Sequence, residues 1–207
     1  MKLAGVSLFP VCQYILCINI IDTKCIYYFT GGPSTVNVVL AGNEIKFSGA
    51  GYKDSNWGPN ATNDFVKSWY VLIAEVGPWA FVTFSGAPSS GTNNVNSGHL
   101  SYNGSFVTSQ CNIIGERNTD ISIITPSGEV TDSGVIAPTA FNITFVLPNS
   151  QNVSFQATNI AVNPSFSVYH RWVAKYTGGA NYGEQYESYG LTEWMNPANL
   201  AHWPLIQ

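Results

Sequence analysis

Apolar and polar residues alternate along most of this chain with the two-residue period of a β-strand. The pattern is strongest in two neighbouring segments, Val66–Val76 and Trp79–Phe84, where aromatic and β-branched residues dominate and Gly77-Pro78 separates them. A turn between two such segments predicts a β-hairpin. Upstream, the glycines and proline of Gly49–Pro59 predict a tight corner between two strands. The stretch from Gly49 to Phe84 is therefore expected to organise the fold.

The same pattern predicts further strands on both sides of this hairpin. About nine or ten antiparallel strands at this spacing favour an all-β fold, an antiparallel lipocalin-like β-barrel that holds one small ligand. A β-sandwich is the alternative architecture. Gly86–Gly98 is predicted to be a surface loop, and Asn196–Gln207 a short helix or an extended arm. The remaining predicted strands are Val36–Leu40, Glu44–Ser48, His99–Tyr102, Ser105–Ile114, Ile121–Thr125, Ala140–Leu147, Asn152–Ala161, Ser165–Tyr176 and Glu184–Glu193.

Residues 1–33 form an atypical apolar segment ahead of the predicted barrel domain, residues 34–207. Its densest apolar part, Val11–Ile21, is shorter than the ~20 residues that span a bilayer, and Gln13 and Asn19 interrupt it. No small-residue cleavage site follows it, as a signal peptide would require. Three interpretations stay open: a targeting segment or membrane anchor, a buried strand pair, or sequence foreign to the domain.

Composition narrows the classes of function. Charged residues make up 10% of the chain and aromatic residues 14%, which suits an all-β domain with many turns. The 8 basic residues form no cluster, which argues against nucleic acid as a partner. So little charge also predicts an apolar surface that a partner chain or a dimer covers.

The cysteines favour a reducing compartment. Cys12, Cys17 and Cys25 lie in the N-terminal segment, so Cys111 is the single thiol of the main domain, which can form no internal disulfide. An intracellular, cytoplasmic location is the expectation. Secretion through the N-terminal segment is the alternative.

Common catalytic motifs are missing from the sequence. His99, His170 and His202 are far apart, and no Cys-x-x-Cys or His-x-x-x-His spacing occurs. There is no Gly-x-Ser-x-Gly motif and no glycine-rich phosphate loop before a helix. We therefore expect neither a metal nor a cofactor.

Two blocks of sequence carry a family resemblance. The first contains Gly-Tyr-x-Asp-x-Asn-Trp at 51–57, Ser-Trp-Tyr at 68–70 and Val-Gly-Pro-Trp at 76–79; the second contains Tyr169–Trp172, Gly183–Glu187 and Leu191–Trp194. Together they resemble the fungal lipocalin-like Diels-Alderases and, more distantly, carotenoid hydratases and related fungal hydratases. The resemblance covers roughly residues 34–196, which correspond to the second half of such enzymes. Family members carry an N-terminal β-sandwich domain before it, with the pocket at the boundary, and we expect this chain to lack that domain.

The resemblance implies a Diels-Alderase-like cyclase of fungal polyketide or other secondary metabolism, which closes a decalin ring on a linear apolar polyene by [4+2] cycloaddition without a cofactor. An aromatic-lined barrel suits this reaction, because holding the polyene folded removes rotational entropy before the bonds form. A hydrogen bond to a conjugated carbonyl would stabilise developing charge. The candidate catalytic residues are Tyr52, Asn56, Trp69 and Tyr70; the candidate substrate-binding residues are Trp57, Trp79, Trp172, Tyr186 and Trp194.

For each of these aromatic residues, core packing is the alternative role. Two other functions also stay open, a non-catalytic protein that binds an apolar ligand and a hydratase acting on an isoprenoid double bond. One difference argues against a hydratase: Lys53 and Ser55 occupy the positions where the resemblance to hydratases would place histidines beside Asp54.

Overall fold

The computed structural model describes residues 7–8, 12–20, 23–57, 66–88, 95–111, 122–132, 134–147, 151–166, 169–181 and 183–195, and its regular elements are all strands. They are β1 Ser7–Leu8, β2 Cys12–Ile20, β3 Thr23–Leu40, β4 Asn43–Trp57, β5 Val66–Val76, β6 Trp79–Pro88, β7 Val95–Tyr102, β8 Ser105–Cys111, β9 Ser122–Ser127, β10 Val130–Asp132, β11 Val135–Ala137, β12 Ala140–Val146, β13 Asn152–Phe166, β14 Tyr169–Ala180 and β15 Tyr186–Met195.

Nine of these strands form one antiparallel sheet in the order β8-β7-β6-β5-β15-β14-β13-β12-β9. The predicted central hairpin is confirmed as β5 and β6, with Val76 opposite Trp79. Its turn needs Gly77, whose φ of 61° lies in the left-handed region. The all-β prediction is also confirmed, and the sheet curls into a half-barrel.

Ring contacts across the interior reveal the curl. Phe81 on β6 lies 5.5 Å from Phe145 on β12 and 4.6 Å from Phe155 on β13, measured between ring centroids. Several strands separate β6 from β12 in the sheet order, so a flat sheet could not bring these rings together. Tyr176 on β14 completes this group, 5.7 Å from Phe81. We call these four residues the phenylalanine cluster; it fills one end of the half-barrel.

The second sheet contains β1 to β4, and β4 pairs along its whole length with residues 26–40 of β3. Here the predicted corner at Gly49–Pro59 was wrong: residues 49–57 continue β4, and Gly58-Pro59 lies outside the described residues. The chain reverses earlier, at Ala41 and Gly42, where both φ angles are positive. Residues 49–51 pair with β3 without a register shift: Gly51 lies opposite Gly32, and Ala50 lies opposite Pro33.

The separate N-terminal segment of residues 1–33 was predicted from composition. In the structure, residue 33 lies in the middle of β3, which runs unbroken from Thr23 to Leu40. Strand β2 lies against β7 and β8. The outer face of that part of the large sheet is accordingly buried, including Val82, Phe84 and His99.

The predicted strand Ser165–Tyr176 was also wrong in extent. β13 ends at Phe166 and β14 begins at Tyr169, and these two residues pair with each other. Residues 162–164, which lie between the predicted strands Asn152–Ala161 and Ser165–Tyr176, belong to β13, whose pairing with β14 shifts register between Val162 and Ser165.

Some predictions fall outside the described residues, namely the tail Asn196–Gln207 and residues 89–94 of the predicted loop. Among the residues that are described, no helix has the length and apolar character to cross a membrane. The same residues contain no group of three or more His, Cys, Asp or Glu side chains arranged to hold a metal ion.

Candidate functional site

The end of the half-barrel opposite the phenylalanine cluster is lined by a tyrosine, a histidine and two tryptophans. Tyr70 on β5 lies opposite Trp194 on β15, and Trp194 lies opposite His170 on β14. Trp172 is two residues beyond His170, so the pleat directs all four side chains to the interior face. We call Tyr70, His170, Trp172 and Trp194 the tryptophan cluster.

The rings of the tryptophan cluster stack in sequence. Tyr70 lies 6.2 Å from Trp194, Trp194 lies 5.4 Å from His170, and His170 lies 5.2 Å from Trp172. The two indoles and the imidazole are close to parallel, at 13° and 23°. The stack offers flat π surfaces of the kind that hold an apolar, unsaturated molecule.

The hydrogen-bond donors of Trp194 and Tyr70 differ in their availability to a ligand. The indole N–H of Trp194 donates to Ser68 Oγ over 3.2 Å, and Ser68 donates in turn to the carbonyl of Met195. Tyr70 is half-buried, and burial raises the pKa of its phenol, so the hydroxyl stays protonated at neutral pH. Tyr70 is therefore the better placed donor to a ligand oxygen.

A histidine–aspartate pair lies at the same end of the half-barrel as the tryptophan cluster. His170 Nδ1 is 3.3 Å from Asp132 Oδ2, and Asp132 belongs to the small hairpin of β10 and β11. Burial lowers the pKa of His170, and the hydrogen bond and charge of Asp132 oppose that shift without cancelling it. This arrangement can exchange a proton with a neighbouring group.

A second polar pair joins β15 to β13. Thr192 is fully buried opposite Trp172 and donates to Asn159 Oδ1 over 2.6 Å. The side-chain amide of Asn159 donates to the carbonyl of Pro138 over 3.0 Å. These two hydrogen bonds link β15 and β13 to Pro138, the residue that follows β11.

Trp69 lies on the opposite face of the sheet from its neighbour Tyr70. Its indole N–H donates to Glu193 Oε1 over 3.2 Å. Tyr169 and Arg171 donate to the other oxygen of the same carboxylate over 2.5 Å and 2.7 Å. We call Trp69, Tyr169, Arg171 and Glu193 the outer cluster. Its hydrogen bonds tie β5, β14 and β15 together on the outer face.

Trp79 and Tyr186 lie at the phenylalanine end. The ring of Trp79 is 4.6 Å from that of Tyr102. Tyr186 covers Gly77, where a Cβ would lie 2.3 Å from the tyrosine ring, so the turn requires glycine on two counts. The hydroxyl of Tyr186 donates to the Glu184 carboxylate over 2.6 Å, and this hydrogen bond raises the pKa of Tyr186 to about 12.

The remaining candidates, Tyr52, Asn56 and Trp57, are on β4 of the second sheet. Tyr52 is half-buried and lies opposite Gly31. For Asn56 and Trp57, the structure describes the backbone of β4 but not the side chains. The structure thus brings together three of the sequence-derived candidates, Tyr70, Trp172 and Trp194.

Sequence reasoning missed His170, Asp132, Asn159 and Thr192. The alternation around Trp172 does place His170 on the same face, and that signal could have identified it. Nothing local points to Asp132, which is 38 residues away from His170 on a separate hairpin.

Comparison with known proteins gives a consistent result. Residues 23–196 match the family model described as Diels-Alderase-like. The quinolone epoxide rearrangement protein penF of Penicillium thymicola is 28% identical over 164 residues, which are 77% of this chain and 43% of penF.

Two solved structures have a similar fold. CghA, determined with Sch210972, superposes with a TM-score of 0.61 at 13% identity, over 83% of this chain and 54% of CghA. Kievitone hydratase of Nectria haematococca superposes with a TM-score of 0.56 at 9% identity, over 84% of this chain and 60% of the hydratase. The chain thus spans about half the length of the relatives it matches. Because the family model covers most of its residues, this chain belongs to the Diels-Alderase-like family.

Proposed function

We propose that this chain acts in the cofactor-free cyclisation or skeletal rearrangement of an apolar, unsaturated small molecule. The observation that carries the proposal is the tryptophan cluster, in which two buried indoles lie beside a half-buried phenol. Family membership supports it. Because the relatives are about twice as long, activity of the 207-residue chain by itself is part of the proposal.

In its finer form, the proposed reaction is an intramolecular [4+2] cycloaddition that closes a decalin-type ring on a linear polyene, in fungal polyketide metabolism. The indole faces would hold the folded chain, so that its rotational entropy is lost before the bonds form. Tyr70 would donate a hydrogen bond to a carbonyl conjugated with the dienophile, where charge develops in the transition state.

A second candidate is the rearrangement of an epoxide, which the similarity to penF favours. Opening of an epoxide places positive charge on carbon, and the faces of indole rings attract positive charge. The same cluster therefore suits both reactions, which are isomerisations and leave the molecular formula unchanged.

The experiment incubates the full chain with two separate probes, a synthetic linear trienone and styrene oxide, and follows the products by chiral chromatography with mass spectrometry. We expect an isomer of at least one probe, formed above the uncatalysed rate and with one stereoisomer enriched. A product of the trienone that is heavier by one water would instead indicate a hydratase. Binding without any new product would indicate a non-catalytic ligand-binding protein.

The contribution of Tyr70 is tested with Tyr70→Phe, which removes the donor and keeps the ring. We expect the rate to fall about tenfold, as for one lost hydrogen bond in the transition state. The matched control is Tyr189→Phe, because Tyr189 is on β15 and is 58% exposed. Equal rates for the two variants would remove Tyr70 from the proposed mechanism.

A further inference from the structure

We propose that His170 donates a proton to a substrate oxygen and later takes it back, with Asp132 as its positioning residue. The chemical class of substrate is an epoxide or a conjugated carbonyl whose neighbouring carbon can carry positive charge. This inference rests on the proposed function and deepens it, since it names the group that starts the rearrangement.

The first argument is the fixed position of the imidazole. His170 has no exposed surface, and its ring lies against both Trp172 and Trp194, at 5.2 Å and 5.4 Å. The near-parallel planes leave the ring little freedom to rotate. A proton-transfer group works best when its orientation is set before the substrate binds.

The second argument is the partner of Nδ1. Asp132 Oδ2 lies 3.3 Å from it, which favours the tautomer with the proton on Nδ1 and assigns Nε2 to exchange with a substrate. The Asp132 side chain is 23% exposed, so the pair connects a buried imidazole to a carboxylate that solvent reaches.

The third argument concerns the charges around the ring. Asp132 approaches from β10, while β11 contributes the apolar residues Val135 and Ala137 to the core. From β15 the facing residue is Trp194, beyond which lies Tyr70, whose burial-raised pKa keeps it neutral. On β14 and β15, Arg171 and Glu193 bind each other on the outer face.

Asp132 is therefore a charged group that acts directly on His170 from the interior side. The carboxylate and the two indole faces stabilise an imidazolium, whereas burial destabilises it. The protonated form is consequently a minor species at neutral pH and a stronger acid than an ordinary imidazolium, and its population rises as the pH falls.

The proposed steps balance without another reactant. The imidazolium Nε2–H transfers its proton to the epoxide oxygen, and the C–O bond to the substituted carbon breaks, leaving a hydroxyl and a carbocation. A hydride or carbon group migrates to that cation, the carbon that bears the hydroxyl becomes a carbonyl, and the O–H proton returns to Nε2. The product is an isomer of the substrate, and His170 ends as it began.

The β10 and β11 hairpin covers the side of the site from which Asp132 approaches His170. These two strands pair with each other and form a sheet separate from the nine-stranded one. Val135 and Ala137 are buried in the core, so side-chain packing and the Asp132 contact hold the hairpin down.

The test combines NMR with activity, using the full chain with ¹⁵N-labelled histidine. In the wild type, we expect His170 to titrate below the ordinary histidine value and Nδ1 to carry the proton. Asp132→Asn removes a group that favours the imidazolium, so the titration moves to lower pH. Glu129→Gln is the matched control, since Glu129 is an exposed carboxylate just before β10.

Activity is measured as conversion of styrene oxide to phenylacetaldehyde, with the uncatalysed rate subtracted at each pH. We expect the rate to rise as the pH falls through the pKa of His170, and the profile of Asp132→Asn to shift with its NMR titration. His170→Phe keeps a stacked ring and should lose activity about a hundredfold. His170→Gln serves as the second variant, and thermal unfolding confirms that both are folded.

The outcomes separate the two proposals. If the wild type converts the epoxide and both His170 variants match its rate and pH profile, the proton-transfer role is overturned while the proposed function stands. If the wild type converts neither styrene oxide nor the linear trienone, acetophenone is added as a carbonyl probe. A shift of the His170 Nε2 resonance then supports the site, and an unchanged resonance overturns it.

Discussion

At the scale of single residues, the outer cluster shows how burial and hydrogen-bond partners determine the contribution of a carboxylate to stability. Glu193 and Glu187 are both on β15, and each pairs with a basic residue of β14. The side chain of Glu193 is 16% exposed and accepts hydrogen bonds from Trp69, Tyr169 and Arg171. Glu187 is 55% exposed and forms an ion pair with Lys175.

We therefore predict that Glu193→Gln lowers the free energy of unfolding by about 2 kcal/mol, the range for charge-assisted hydrogen bonds that water replaces poorly. Glu187→Gln should change it by less than about 0.5 kcal/mol, because exposed ion pairs contribute little. Urea unfolding monitored by tryptophan fluorescence measures both. Equal effects in the two variants would show that burial of the outer cluster does not strengthen its bonds.

Residue periodicity predicted which side chains share a face, but it did not predict which face is the interior. Trp69 and Tyr70 were proposed together as catalytic donors, although neighbouring residues of a strand must point to opposite faces. The curl of the sheet selects Tyr70 for the interior. The contact between His170 and Asp132 was beyond the sequence for the same reason, since it depends on where a separate hairpin folds over.

At the scale of elements, the hairpin of β3 and β4 depends on a two-residue turn that the sequence does not mark strongly. Leu40 pairs with Asn43, and the turn residues Ala41 and Gly42 have φ angles of 49° and 84°. Glycine adopts this conformation at little cost, whereas alanine is strained in it. The more obvious glycines of Gly49–Gly51 misled the prediction because they lie within a ladder.

For this turn we predict that substitutions at two adjacent positions, Ala41 and Gly42, change the free energy of unfolding in opposite directions. Ala41→Asn should raise the free energy of unfolding by about 0.5 to 1 kcal/mol, because asparagine tolerates the left-handed region. Gly42→Ala should lower it by about 1 kcal/mol through the backbone alone, since no atom lies within 4 Å of an added Cβ. Thermal and urea unfolding of the two variants test the signs. Loss of stability in both would contradict the assigned turn geometry.

At the scale of the whole molecule, the large sheet is buried on both faces over part of its width. The interior face carries the tryptophan and phenylalanine clusters, and the outer face of β6 and β7 buries Val82, Phe84 and His99 close to where β2 lies. Strand periodicity predicted the sheet correctly because that signal is local. The second covered face requires contact between two sheets, which no local pattern encodes.

Burial of His99 between these layers predicts how stability depends on pH. His99 is 3% exposed, and burial lowers its pKa from 6.5 to about 4. Between these two values the unfolded chain binds a proton that the folded chain does not, so the free energy of unfolding must fall as the pH falls. The decrease begins near pH 6.5, has a slope of at most roughly 1.4 kcal/mol per pH unit for this residue, and ends near pH 4.

His170 adds a smaller dependence of the same sign, since burial also lowers its pKa. Urea unfolding from pH 4 to pH 8 should therefore show a flatter curve for His99→Gln than for the wild type, and a still flatter curve for the double variant His99→Gln, His170→Gln. The single variant His170→Gln should retain most of the wild-type slope. If His99→Gln keeps the full slope, the acid sensitivity arises elsewhere, and the layer that covers β7 does not exclude water from His99 as the structure indicates.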